Sequence, residues 1–175
     1  MTRLSPILLL LLIGISTAAQ QPAGGTAPPP SNSLSELRDK RNALLVVSRS
    51  RVVDVSDHER AIVEDVLKAD PVPERRYRWV YGQLAKKLNK YIKKYKSLSA
   101  ASDLAEADYV IFFNVVEYRR ILNTFYPFGE LFVIVKGSPD DSKPPRVVWR
   151  ARKVLIAEDA MSELIKDLKA FRGES

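Results

Sequence analysis

Residues 74–98 read Glu-Arg-Arg-Tyr-Arg-Trp-Val-Tyr-Gly-Gln-Leu-Ala-Lys-Lys-Leu-Asn-Lys-Tyr-Ile-Lys-Lys-Tyr-Lys-Ser-Leu. Tyr77, Val80, Tyr81, Leu84, Leu88, Tyr91, Ile92 and Tyr95 recur at i, i+3, i+4 and i+7. That spacing puts side chains on one side of an α-helix, so one long amphipathic helix is predicted over Glu74 to Leu98. Gly82 costs such a helix about 1 kcal/mol relative to alanine and suggests a close approach between helix and sheet. The charged positions are almost all basic: Arg75, Arg76, Arg78, Lys86, Lys87, Lys90, Lys93, Lys94 and Lys96 stand against Glu74 alone. A rod with one oily and one cationic side needs an apolar surface to lie on, and the flanking sequence must supply it.

Upstream, Ala43-Leu44-Leu45-Val46-Val47 is a short apolar run of the kind a buried strand makes, with Val52 to Val55 as a possible continuation. Ser56 and Glu59 have the spacing of a capping box, and Ala61, Ile62, Val63, Val66 and Leu67 give a short helix from Asp57 to Lys68 its apolar side. Downstream, Asp108 to Tyr118, Glu130 to Lys136 and Arg146 to Ile156 are rich in β-branched and aromatic residues. A loop holding Pro127 and Gly129 separates the first two, and a turn cluster at 137–145 separates the last two. Ala160, Met161, Leu164, Ile165, Leu168 and Phe171 then predict a closing helix over Glu158 to Phe171.

The order β-α-α-β-β-β-α implies an α/β fold: a two-layer sandwich with a mixed four-stranded sheet and two long helices on one face. The first strand should pair parallel with the second through a right-handed crossover, and the last three strands should form an antiparallel meander. The strands are apolar on both sides, so the second sheet face also needs a cover. The short helix is one candidate. A partner protein, or a second copy of the chain, meeting Phe112, Phe132 and Ile134 is the other.

The domain is expected over residues 42–173. Before it, Met1 to Ala19 has a charged start at Arg3, an apolar run from Leu4 to Ile15 and small residues at Thr17 and Ala19. This is the layout of a cleaved signal peptide over residues 1–19, too short to span a bilayer, and it predicts export to the periplasm or cell envelope with no transmembrane span afterwards. Residues 20–41 hold many Pro, Gly and Ser residues and no apolar period, so they read as a disordered linker.

Three stretches carry a resemblance: Ala105-Glu106-Ala107-Asp108-Tyr109-Val110-Ile111, Gly129-Glu130-Leu131-Phe132-Val133-Ile134-Val135, and Val147-Val148-Trp149-Arg150-Ala151. Over roughly Asn42 to Arg172 the chain resembles small exported bacterial envelope proteins of a domain-of-unknown-function family. Its element order is loosely similar to that of the lipopolysaccharide-assembly lipoprotein and the amino-terminal domain of the Tol-system protein TolB. The resemblance implies an envelope location and supplies no catalytic residue. Many of those proteins are lipoproteins; this chain has no cysteine to carry a lipid.

The residues themselves give little chemistry. There is no cysteine and a single histidine, His58, which leaves no thiol nucleophile and no paired-histidine metal site. Serine-elbow, zinc-helix and phosphate-loop motifs are absent. The carboxylate neighbours Glu64-Asp65 and Asp140-Asp141 fall on a helix surface and in a turn, where solvation is their ordinary state. The expectation is therefore no enzyme, cofactor, metal or nucleic acid. Instead the chain reads as an accessory or adaptor domain of the envelope that binds a protein partner. The alternative is binding of an anionic envelope surface (lipid headgroups, lipopolysaccharide or a wall polymer) through Arg75, Arg78, Lys86, Lys87, Lys90, Lys93 and Lys94. The same cations also suit a plain solvated face.

Overall fold

The structure, a computed structural model, describes residues 34–49, 58–68, 75–137 and 144–175. The signal-peptide segment, most of the linker, Ser56 of the capping box and the Asp140-Asp141 turn lie outside the described residues.

The strands are β1 (Asn42–Ser48), β2 (Ser99–Ala100), β3 (Tyr109–Ile121), β4 (Thr124–Val135), β5 (Arg146–Arg150) and β6 (Leu155–Ile156). They form one mixed sheet in the order β2-β1-β3-β4-β5, with β6 added to β4. β1 pairs parallel with β2 and β3, and β3, β4 and β5 form the expected antiparallel meander. The sheet has six strands rather than four, because β2 and β6 are each two residues long and two residues carry no period. Asp108 fixes the parallel register. Its Oδ2 accepts the backbone N–H groups of Arg41 and Asn42, both at 2.8 Å, at the start of β1.

Helix α1 spans His58–Leu67, α2 spans Arg78–Tyr95 behind a 3-10 turn at Arg75–Tyr77, and α3 spans Ala157–Arg172. α2 ends at Lys96, whose left-handed φ of 56° points its N–H at the Ile92 carbonyl. Val80, Leu84, Leu88 and Tyr91 of α2 and Ala160, Met161, Leu164 and Leu168 of α3 bury against Leu45, Ile111, Phe113, Leu131, Val133 and Trp149. The Trp149 indole N–H also donates to Asp167 at 2.9 Å, which ties β5 to α3. Gly82 is exposed, and a Cβ there would meet nothing within 4 Å, so it marks no close approach to the sheet.

On the opposite face, Ile62, Val63 and Val66 of α1 bury against Leu44, Val46, Val110, Phe112, Phe132 and Ile134. The molecule is thus a helix pair, a sheet and a single helix, three layers rather than two. Phe112, Phe132 and Ile134, the candidate partner face, are 1%, 0% and 0% exposed. They are core residues beneath α1 and offer no surface to a partner.

Two boundaries also move. Residues 34–41, expected to be linker, belong to the domain: Leu34 and Leu37 are buried, and Arg172 donates to the carbonyls of Leu37 and Lys40. The interval between Tyr118 and Glu130 is not an open loop. β3 and β4 continue past the core and close at Ile121 opposite Thr124, with Tyr118 opposite Pro127. A bulge between Val115 and Glu117 sits at the base of this arm and increases the local twist. The bulge also explains Gly129, where a Cβ would lie 2.2 Å from the Asn114 carbonyl oxygen.

Candidate anionic-surface site on the basic helix

The oily stripe of α2 faces the sheet, so its cations point outward. Arg75, Arg78, Lys86, Lys90, Lys93 and Lys94 are all exposed. They fall into two groups on a helix about 27 Å long: the arginines at the amino end and the lysines in the carboxyl half. Lys93 and Lys94 occupy the last turn, where the helix dipole favours positive charge. Arg75 and Arg78 stand at the opposite end, which the dipole favours for anions, and the first turn has no acidic residue.

The lysine group is crowded. Lys90 has Lys86 and Lys94 four residues away and Lys87 and Lys93 three residues away, so four ammonium neighbours lie on its own face of the helix. Among the described residues no carboxylate is ion-paired with Lys86, Lys90 or Lys93, whereas Lys94 and the Tyr95 hydroxyl both donate to the Ser175 backbone oxygen, at 3.3 and 2.9 Å. Lys87 behaves differently from the other six cations. Its ammonium is half-buried and donates to the Glu158 carbonyl at 3.0 Å and to Ser162 Oγ at 2.6 Å. It is a bridge to the first two turns of α3.

Where α2 and α3 meet, a groove of about 270 Å³ is lined by Lys87, Lys90, Tyr91, Lys94, Tyr95, Ile165 and Lys169. Tyr95 forms its floor, with the ammonium of Lys94 4.7 Å and that of Lys169 5.0 Å from its ring centre. Hydrogen bonding from Lys169, and then from Lys94, pulls the Tyr95 hydroxyl below its ordinary pKa. Tyr91 is opposite in character: burial, reinforced by its hydrogen bond to Glu174 at 2.5 Å, pushes its pKa up to about 12. An open depression beside the groove is lined by Lys86, Asn89, Lys90, Lys93 and Lys94. Lys169 is the member of this set that sequence reasoning missed. The period of α3 places it on a helix edge, but only the contact between the two helices brings it to Tyr95.

Chemically the arrangement offers ammonium groups and a tyrosine hydroxyl. It contains no nucleophile paired with a base. Among the described residues no group of three histidine or carboxylate side chains stands close enough to hold a metal ion. Glu64, one of the paired carboxylates, faces solvent and meets Arg60 at 3.4 Å. No helix among the described residues is long and apolar enough to cross a membrane. Comparison of the chain with protein-family models, curated proteins and solved structures finds no match in any of the three.

Proposed function

We propose that the protein is an exported, non-catalytic binding domain of the bacterial cell envelope whose basic α2 face holds an anionic envelope surface. The observation that carries this reading is the group Lys86, Lys90 and Lys93, exposed and without carboxylate partners among the described residues, with Lys94 and Lys169 added at the groove. A solvated face made for solubility alone would intersperse the two signs and gain i, i+4 ion pairs. Here the like charges repel one another, and an anionic ligand removes that cost. The amino-terminal pattern of residues 1–19 supports export. An adaptor working through the second sheet face would first have to displace α1, which leaves the sheet edge for a protein partner; the exposed lysine group favours the surface reading.

The test is co-sedimentation with phosphatidylcholine vesicles with and without phosphatidylglycerol, and retention on lipopolysaccharide, at low and high salt. The wild type should bind the anionic surfaces and release them as salt rises. Lys86→Glu/Lys90→Glu/Lys93→Glu should abolish that binding while keeping its circular dichroism spectrum. Equal retention of wild type and variant on every surface would reject the proposal.

A further inference from the structure

Seven large hydrophobic side chains are more than a third exposed among the described residues, and five of them, Val116, Tyr118, Ile121, Leu122 and Phe125, belong to the β3–β4 arm. The concentration in one ribbon separates this surface from the scattered apolar residues of an ordinary exterior. From this arm we infer that the hairpin tip inserts into the interfacial layer of an anionic phospholipid bilayer. The inference rests on the reading of the chain as a binder of anionic envelope surfaces, and names a bilayer met by the arm and the arginine end of α2.

The tip has an unusual construction. Ile121 and Thr124 close the hairpin, leaving Leu122 and Asn123 as its two-residue loop. Leu122 has a φ of 56°, a left-handed conformation that costs a leucine roughly 1–2 kcal/mol and a glycine little. Arg120 braces the turn, donating to the Leu122 carbonyl and to Asn123 Oδ1, each at 3.1 Å. The result is a leucine side chain 91% exposed at the farthest point of the arm. Neither local stability nor packing explains a leucine there, whereas an external apolar medium does.

Behind the tip the residues are layered. Ile121, Leu122 and Phe125 come first, then Arg119 and Arg120 with Tyr118 and Tyr126. The bulge at the base turns Tyr118, Arg120 and Phe125 toward the helix-pair side and Arg119, Ile121 and Tyr126 toward the α1 side. Apolar and cationic groups therefore occur on both sides of the ribbon. From Leu122 back to Tyr118 is about 13 Å of strand, longer than the roughly 5–10 Å to which an interfacial segment buries. Tyrosine and arginine favour the boundary between acyl chains and headgroups; the Arg119 guanidinium pairs with Glu117 and lies over the Phe128 ring, and that of Arg120 holds the turn. A protein partner would need a matching cleft for this convex finger. A bilayer needs none.

Only the amino end of α2 shares the geometry; Lys86, Lys90, Lys93 and Lys94 lie in its carboxyl half, toward the end of the sheet away from the arm. The chain leaves the carboxyl end of α2 into Ser99, which pairs with Asn42 at the start of β1. The amino end of α2 therefore lies at the opposite end of the sheet, where β3 leaves the core as the arm. Arg75, Arg78 and Trp79, the last 51% exposed, stand at that end and would face the same headgroups.

The absence of cysteine gives a clean probe. Leu122→Cys, labelled with a nitrobenzoxadiazole fluorophore, should shift to the blue and brighten on vesicles containing phosphatidylglycerol, while the same label at Glu64→Cys on α1 should not respond. Leu122→Asn/Phe125→Ser should lower vesicle partition about tenfold or more yet leave retention on soluble lipopolysaccharide unchanged. Leu122→Asn also relieves the turn, so this variant should fold. Vesicle binding with an unshifted label at residue 122 would overturn the inference and leave the basic-helix reading standing. A label shift that grows with protein concentration and needs no vesicles would overturn it in favour of a second copy. Loss of all binding, to vesicles and lipopolysaccharide alike, would overturn both.

Discussion

Replacing Lys90 by glutamine should make the protein more stable and its binding weaker. Lys90 stands three or four residues from Lys86, Lys87, Lys93 and Lys94, and like charges at these spacings each destabilise a helix by about 0.2–0.5 kcal/mol. Four such pairs total roughly 1–2 kcal/mol at low salt. Lysine and glutamine have nearly equal helix propensity, and Lys90 is exposed, so neither backbone nor packing offsets the gain. For a domain of this size the change corresponds to a rise in melting temperature of about 3–6 °C. The pairs are solvent-facing, so the gain should shrink in high salt as screening shortens their reach. Urea unfolding of both proteins at low and high salt measures the difference directly, and vesicle co-sedimentation measures the binding. A variant that is less stable than wild type, or a gain that ignores salt, would show that the lysines are not mutually repelling and would remove the reason for expecting a ligand there.

Other substitutions probe the frame that holds this face. Gly82→Ala should gain about 1 kcal/mol in thermal unfolding, because the site is an exposed helix interior with open space for a methyl group; a loss would mean the glycine is needed. Tyr109→Phe should be neutral or stabilising by up to about 1 kcal/mol, since the Tyr109 hydroxyl is buried without a partner, and a clear loss in denaturant titration would reveal a hydrogen bond. Asp108→Asn should cost about 1 kcal/mol at neutral pH, the low end for a charged hydrogen bond because the carboxylate is partly exposed. Partial burial raises the Asp108 pKa, but the N–H groups of Asn42 and Arg41, with Lys40 and Lys136, outweigh it and hold the carboxyl below its usual value. Its contribution is therefore complete above the unfolded pKa near 4 and lost as pH falls through the lower folded value. The wild type should lose stability more steeply than the variant over that acidic window, and parallel acid-unfolding curves would contradict this.

The parts of the fold visible in the sequence are those where one periodic pattern decides the outcome. The helical stripe from Tyr77 to Tyr95 can bury itself in one way only, and that orientation alone exposes the six outward cations. The order of long elements likewise leaves few topologies, so the parallel β1–β3 pair and the meander were legible. Lys87 shows where such reasoning stops. Its spacing is that of a surface lysine, and only the proximity of Ser162 and Glu158, set by how two helices pack, makes it a bridge.

The β3–β4 arm shows a different limit, and a more instructive one. Pro127 and Gly129 are strand breakers by propensity, so Arg119 to Gly129 reads as loop. In the fold both residues are accommodated by local geometry: Pro127 lies in a ribbon paired on one side with β3, and Gly129 lies under the carbonyl of Asn114 at the bulge. The bulge adds one residue to β3, and with a side-chain period of two that single addition exchanges the faces of everything beyond it. Alternation that points Phe113 and Val115 into the core points Tyr118 and Arg120 to the same side only because of that extra residue. A sheet that ended at the core would need neither the bulge nor a leucine forced to a positive φ in water. Both features lengthen or expose the arm at a cost in local stability, which places the explanation for them outside the folded chain, in whatever the arm touches.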